Sequence, residues 1–431
     1  MLSHIKKIHF IGIGGIGVSA IARMARLKGI KVTGSDISIG KMTERIKNIG
    51  GKIFIGHKKE NLPKDTDMVV FSPAISENNP ELTSAKELNI PVYSYPEALG
   101  LLSKDMYTIA VSGTHGKTTT TCMIAELMIY GNLDPTVFVG GLLKKQQDNF
   151  VLGQSRYFVV EACEYKESFL NLNPNILIVL NIDNDHLDYY QNIENIQNAF
   201  AELIAKTKNY IICDLNDKNI LTAIEKAKNI NKLAEITDYT KEKLNIKLLI
   251  PGEHNLKNAK AALGAVKLIG LEQKEAERIL KNYAGSWRRF EYKGTIENGA
   301  LIYDDYGHHP TEIKATLKGI KKYFPDKHII VVFQPHLYSR TRILLSDFAN
   351  SFTNINKVIV TDIYAAREQD DHLIHAEDLV KAINKISNNA DYIKNFWEIE
   401  NYLKLNSDQD TVILTVGAGD IYKIGENIVK K

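Results

Sequence analysis

Two glycine-rich turns, each leaving an apolar run and entering a helical stretch, constrain this chain more than any other feature. The second is the more specific. The run Tyr107–Val111 leads into Ser112-Gly113-Thr114-His115-Gly116-Lys117-Thr118-Thr119 and then into a helical pattern. In a phosphate loop of this kind, backbone N–H groups cradle phosphates, a Lys reaches the β/γ oxygens and a hydroxyl meets Mg²⁺. Lys117 and Thr118 stand at those two positions. The first glycine of G-x-x-x-x-G-K-[ST] is missing, so the loop is a variant.

The first turn follows the run Ile8–Ile11 as Gly12-Ile13-Gly14-Gly15-Ile16-Gly17, which satisfies G-x-G-x-x-G. A helix to about Lys28 comes next, then a strand Lys31–Gly34 ending at Ser35-Asp36. Strand, glycine turn, helix, strand and acidic residue make a Rossmann-type fingerprint, with a pyrophosphate at the helix N-terminus. Alone, this pattern admits a dinucleotide oxidoreductase, a nucleotide-sugar site or a turn without a ligand. A triphosphate loop further along the same chain argues against a plain dehydrogenase. It points to a ligase, with one nucleotide as energy source and the other as substrate handle.

The rest of the chain agrees with an α/β class. Apolar, β-branched runs recur at Met68–Phe71, Phe158–Glu161, Ile176–Asn181, Ile329–Phe333, Val358–Thr361 and Val412–Val416, with helical stretches between them. Runs that do not alternate suit strands buried on both faces, hence parallel βαβ units. At 431 residues the chain has room for about three domains. Breaks near Gly100–Lys104 and Gly285–Gly294 divide it into 1–102, 103–290 and 291–431. The expectation is a Rossmann-like N-terminal domain, a central P-loop domain with a parallel sheet, and a C-terminal Rossmann-like α/β domain.

Charge and cysteine content exclude other classes. With 54 Lys+Arg against 51 Asp+Glu, the chain is too balanced for a nucleic-acid coat. Cys122, Cys163 and Cys213 are widely spaced and make neither a disulfide framework nor a zinc motif. Cys163 reads as a small buried thiol. No apolar run reaches the ~18 residues of a membrane helix. A cytoplasmic protein that binds neither nucleic acid nor membrane, as a monomer or weak dimer, is expected.

At this point the sequence resembles the Mur ligases over nearly its whole length. The carrying segments are the two glycine loops, Gly34-Ser35-Asp36, Ser72-Pro73-Ala74-Ile75, Glu161-Ala162-Cys163-Glu164 and Asn181-Ile182-Asp183-Asn184-Asp185-His186. Further on come Gly252-Glu253-His254-Asn255-Leu256-Lys257-Asn258, Arg288-Arg289-Phe290-Glu291, Asp304-Asp305-Tyr306-Gly307-His308-His309-Pro310 and Phe333-Gln334-Pro335-His336. The resemblance implies an ATP-dependent ligase joining L-alanine to the carboxylate of UDP-N-acetylmuramate through an acyl phosphate, in peptidoglycan precursor synthesis. ATP and one or two Mg²⁺ or Mn²⁺ ions are the implied cofactors.

Site residues follow from the same match. UDP-sugar contacts fall on Gly12, Gly14, Gly15, Ile16, Gly17, Ser35, Asp36, Ser72 and Ala74. ATP contacts fall on Gly113 through Thr119 (Thr114, His115, Gly116, Lys117 and Thr118 between them) and on His254, Asn255, Asn258, Arg289 and Asp305. Thr118, Glu161 and His186 are the metal candidates, and Lys117, His186 and His308 the catalytic ones. Tyr306, His336 and Arg340 form the amino-acid set, since an Arg fork suits a carboxylate. Leu337 stands where relatives often carry Arg. The three sites lie on three expected domains, so chemistry requires closure on ligand binding.

Overall fold

The computed structural model describes residues 4–366 and 368–429. The chain divides into two compact units. One holds residues to Asn245 together with Asn258–Leu280; the other holds Ile246–Lys257 and the residues from Lys281 onward.

The first unit contains two sheets. Strands β1 (Lys7–Ile11), β2 (Lys31–Asp36), β3 (Lys52–Ile55), β4 (Met68–Phe71) and β5 (Val92–Ser94) form a parallel sheet in the order 3-2-1-4-5. The order reverses beside β1, and such a switch point opens a crevice at the carboxyl ends of the strands. Strands β6 (Tyr107–Ser112), β7 (Thr136–Leu143), β8 (Asp148–Val151), β9 (Tyr157–Glu161), β10 (Ile176–Val179), β11 (Tyr210–Cys213) and β12 (Glu235–Asp238) form a second sheet in the order 12-11-10-6-9-7-8. Ile109, Ala110, Val111, Val159 and Ile176 through Val179 are almost fully buried, as strands covered on both faces must be.

The second unit is built on β13 (Glu291–Thr295), β14 (Leu301–Asp305), β15 (His328–Phe333), β16 (Lys357–Val360), β17 (Ala390–Tyr392) and β18 (Thr411–Val416), ordered 13-14-18-15-16-17. Phe333 packs with Phe348 and Phe352 on one face; Ile302, Ile330 and Ile413 lie on the other.

Four sequence expectations change. Ile176–Asn181 stops as a strand at Val179, because Asn181 turns away to hold the second glycine loop. Lys31–Gly34 instead continues to Asp36 in register with β3. The uniformly parallel picture misses two antiparallel edge strands, β8 on β7 and β13 on β14. Neither is a long apolar run, so the pattern of the core does not reveal them. Cys163 is exposed rather than buried, since it follows the end of β9 and leaves the sheet.

Candidate active site

The second glycine loop leaves the carboxyl end of β6, between β9 and β10. Gly113 and Gly116 have φ of +132° and +87°, conformations that only glycine adopts without strain. Gly116 also meets a neighbour: a Cβ there would lie 2.6 Å from Asn258 Oδ1. The Asn258 amide therefore lies directly against the loop. Asn181 clamps the other side, accepting from His115 N–H at 2.8 Å and donating to His115 C=O at 3.0 Å. Its own carbonyl accepts from Thr114 N–H at 3.1 Å. The Thr114 hydroxyl accepts from Asp183 N–H at 2.8 Å, and the His115 ring lies 3.2 Å from the Asp183 carboxylate.

Lys117 opens the helix Lys117–Tyr130. Its ammonium donates to Gly113 C=O at 2.6 Å, Thr114 C=O at 3.1 Å and Glu164 Oε1 at 2.9 Å. Burial is the largest influence and opposes the charge, but Glu164 together with its neighbours, Glu161 among them, outweighs it, and the pKa of Lys117 rises above its ordinary value. Lys117 is thus a permanent cation at the loop. Thr118 donates to Glu161, whose two oxygens both lie 3.0 Å from its hydroxyl. Glu161 also accepts from Gly140 N–H at 3.0 Å. Hydroxyl and carboxylate make an all-oxygen donor pair of the kind hard divalent cations take, so Thr118 and Glu161 fit Mg²⁺. His186 Nε2 lies 3.9 Å from Glu164 and 3.9 Å from Asp185, and its ring lies against Tyr165. Lys117 and His186 therefore share Glu164.

The first glycine loop is held from beneath. Gly12 and Ile13 donate their N–H groups to Ser35 C=O at 2.9 and 3.0 Å. Gly14 N–H donates to Asp36 Oδ2 at 2.7 Å, and a Cβ on Gly14 would fall 2.9 Å from that oxygen. Asp36 thus shapes the loop. Ser72 lies under Gly12, and its hydroxyl accepts from Ala74 N–H at 3.4 Å. A Cβ on Gly15 would stand 3.4 Å from Gly12 C=O and 4.0 Å from Ser72 Oγ and Val18 Cγ2, ordinary contact distances. Gly17 and the exposed Ile16 begin the helix Ile16–Leu27.

His57 was not signalled by the sequence. It follows β3 at the same carboxyl edge, 2.9 Å from Ser35 Oγ and 3.2 Å from the buried Glu81. Glu81 in turn lies 2.6 Å from His9 Nε2, with neither side chain exposed. The short strand β3 carries no long apolar run to mark its end, and Glu81 is 24 residues from His57.

In the second unit, Tyr306, His308, His336 and Arg340 come together. The His308 ring lies 5.6 Å from Tyr306 and 5.8 Å from His336. Arg340 Nη1 is 3.3 Å from His336 Nδ1, and the His336 ring stacks on Tyr364. Arg342 pairs with Asp371 at 2.9 Å as an exposed ion pair. Arg289 lies over the Tyr306 ring and 3.7 Å from Glu312. Burial lowers the His254 pKa, with Glu312 pulling it up and Arg289 pushing it down. Asn255 and Asp305 are engaged within the fold. The Asn255 amide donates to Pro251 C=O at 2.6 Å. Asp305 accepts from Phe290 N–H at 2.8 Å and Gly307 N–H at 2.9 Å, and burial raises its pKa. Those bonds make Asp305 the anchor of the Tyr306–His308 turn.

Three family models match in the order of the sheets. They are the Mur ligase family catalytic domain over residues 7–107, the Mur ligase middle domain over 111–266, and the Mur ligase glutamate ligase domain over 288–419. The chain belongs to the Mur ligase family. A curated relative, the UDP-N-acetylmuramate–L-alanine ligase of Clostridium acetobutylicum, is 42% identical across 99% of this chain and 98% of its own. The crystal structure of the UDP-N-acetylmuramate-alanine ligase of Thermotoga maritima superposes with a TM-score of 0.79 at 28% identity, covering 99% and 98% of the two chains. A murein peptide ligase from Psychrobacter arcticus shares the fold, with a TM-score of 0.69 at 24% identity over 98% of each chain. Among the described residues, no helix of this Mur ligase is long and apolar enough to cross a membrane.

Proposed function

We propose that this chain is a ligase that joins L-alanine to the lactyl carboxylate of UDP-N-acetylmuramate at the expense of ATP, forming ADP and phosphate. The observation that carries the reading is Lys117, seated at the phosphate loop between Glu164 and the loop carbonyls, in a chain matched end to end by L-alanine ligases. The peptide-adding ligases of the same fold are the competing reading, and the identity figures favour the alanine enzymes.

The chemistry needs two transfers. The carboxylate oxygen attacks the γ-phosphorus of ATP, the bond to the β,γ-bridging oxygen breaks, and ADP leaves an acyl phosphate. The alanine amine then attacks the acyl carbon, inorganic phosphate departs, and the amine's proton is released. Lys117 neutralises charge on the transferred phosphoryl group, and the loop N–H groups orient it. Thr118 and Glu161 would hold a Mg²⁺ ion, which supplies charge neutralisation to the phosphates when bound. We assign His308 to catalysis and His336 and Arg340 to the amino acid; their clustering supports that reading. The first glycine loop is assigned to the nucleotide sugar and residues 1–102 to its domain, 103–290 to ATP, and 291–431 to the amino acid. Sheet and loop positions support that division.

The test is direct. The protein incubated with ATP, Mg²⁺, UDP-N-acetylmuramate and L-alanine should yield ADP and a product heavier by one alanyl residue. Product formed only when a preformed peptide replaces alanine would favour the competing reading.

A further inference from the structure

Tyr95 begins the helix Tyr95–Lys104, and its position is tightly determined. Ser94 N–H donates to Glu97 at 2.7 Å, Glu97 N–H donates back to the Ser94 hydroxyl at 3.5 Å, and Pro96 occupies the first turn. This capping box leaves little freedom in where the helix starts. Further along, Gly100 presses on the segment Tyr165–Asn171: a Cβ there would lie 2.3 Å from Asn171 C=O. Ser103 Oγ accepts from Asn173 N–H at 3.0 Å. The helix is thereby fastened to the sheet that carries the phosphate loop.

From that start the Tyr95 ring reaches Gly17, the last glycine of the first loop. A Cβ on Gly17 would fall 2.4 Å from Tyr95 Cζ, the carbon that bears the hydroxyl. Glycine at 17 is therefore demanded by the phenol ring, which a side chain there would overlap. On its other side the phenol feels Glu161, the carboxylate that Thr118 contacts. Burial first, and then the charge of Glu161, raise its pKa well above the ordinary tyrosine value, so the hydroxyl keeps its proton at every working pH. The side chain is half-buried, and its hydroxyl has no hydrogen-bond partner among the described residues.

An unpaired donor thus stands beside the N-terminus of the helix Ile16–Leu27, whose first N–H groups are donors too. Only an acceptor satisfies such a place, and an anionic one gains most. A nucleotide sugar bound at the first loop must run toward Lys117 and Glu161 to present its carboxylate. With the proximal phosphate held at Gly12–Gly15, the group that would pass Gly17 is the distal phosphate. We propose that Tyr95 is a substrate-contacting residue whose hydroxyl donates to the distal phosphate of the sugar nucleotide and so aims the sugar at the phosphate loop. This rests on the assignment of the first glycine loop to the nucleotide sugar.

Tyr95→Phe removes the hydroxyl and keeps the ring against Gly17. Binding to the full chain would be measured by calorimetry with UDP-N-acetylmuramate, UDP and UMP, alongside a non-hydrolysable ATP analogue. The expected result is about tenfold weaker binding of UDP-N-acetylmuramate and of UDP, as for loss of a hydrogen bond to a charged group. UMP, which lacks the distal phosphate, and the ATP analogue should bind as to the parent, and the melting temperature should not move. The KM for UDP-N-acetylmuramate should rise in step. Unchanged UDP binding overturns the phosphate contact, and so does a loss seen with UMP as well. Gly15→Val separates the underlying assignment. A Cβ there meets Gly12 C=O at 3.4 Å and Ser72 Oγ and Val18 Cγ2 at 4.0 Å, ordinary contact distances, so the variant should fold yet lose UDP. If Gly15→Val binds UDP normally, the loop assignment fails and the proposal with it. If Gly15→Val loses UDP while Tyr95→Phe binds normally, the role of Tyr95 alone is overturned.

Discussion

Glu164 Oε1 lies 2.9 Å from Lys117 Nζ, and both side chains are largely withdrawn from solvent, at 3% and 14% exposure. The pair fixes the lysine at the mouth of the phosphate loop. A carboxylate in this position keeps the ammonium charged and aligned before any phosphate arrives. On the proposed reading it competes with phosphate oxygens for the same donor, so nucleotide binding would exchange one anionic partner for another. The charge would then stand ready for phosphoryl transfer, with little reorganisation during the reaction.

Lys117→Ala should therefore lower turnover by at least about 10³-fold, as for removal of a central electrostatic contact. Binding of UDP-N-acetylmuramate should survive, since the first glycine loop belongs to a different sheet. Steady-state kinetics and calorimetry on one sample check both halves. Equal loss of sugar-nucleotide affinity would contradict the assignment of the two loops.

Amino-acid choice should follow from Arg340 and the size of its surroundings. An Arg grips the carboxylate of every amino acid alike, so it confers affinity without side-chain preference. Rejection of glycine rests on one methyl group, about 1–3 kcal/mol. L-Alanine should be the best substrate, glycine and L-serine slow ones, and branched or charged amino acids inactive. Arg340→Ala should raise the alanine KM about tenfold or more while leaving the ATP KM alone. A raised ATP KM with an unchanged alanine KM would move Arg340 to the nucleotide site.

Stability of the second unit should depend on Arg288. Its guanidinium donates to Asp304 at 2.7 Å, Gly419 C=O at 2.8 Å and Gly417 C=O at 2.5 Å, and the residue is 1% exposed. Burial raises the pKa of Asp304 against the pull of Arg288. Arg288→Met strands that carboxylate and two carbonyls, and should cost about 3–5 kcal/mol in urea unfolding. A loss below about 1 kcal/mol would show that these groups find water instead.

The His9–Glu81 pair should make the first sheet acid-sensitive. Burial pushes the Glu81 carboxyl upward, but hydrogen bonds from His9 and Ser35 more than offset it, and the net pKa is lowered from 4.5. A lowered folded value means that the ionised form stabilises the fold. That contribution is complete above about pH 4.5 and disappears as the pH falls through the folded value. Glu81→Gln should accordingly be destabilised at pH 7, with the gap to the parent narrowing below about pH 4.5. A gap that stays constant from pH 7 to pH 3 would assign the effect to packing alone.

The alternation of buried runs with helical stretches, and the glycines at turns that need positive φ, are local properties of the chain. They suffice for the α/β class, the two loops and the ends of most central strands. Lys117, Thr118 and Glu161 are legible for the same reason, because each sits at a strand end or helix start that its neighbours define. The partners of those residues are another matter. Glu164 meets Lys117 across 47 positions, Asn181 meets His115 across 66, and Asp148 meets Arg23 across 125. No spacing rule encodes such separations, since they depend on which strands lie side by side. The sheet order 12-11-10-6-9-7-8 brings Glu161 on β9 and the turn after β10 to either side of β6. The same holds for Tyr95, an unremarkable aromatic in the sequence, which only the packing of its helix carries to Gly17. Local chemistry determined where the two glycine turns form. Long-range strand pairing decided which carboxylates, amides and hydroxyls surround them, because hydrogen-bond partners are chosen by proximity in space and chain separation imposes no preference once the sheet has closed.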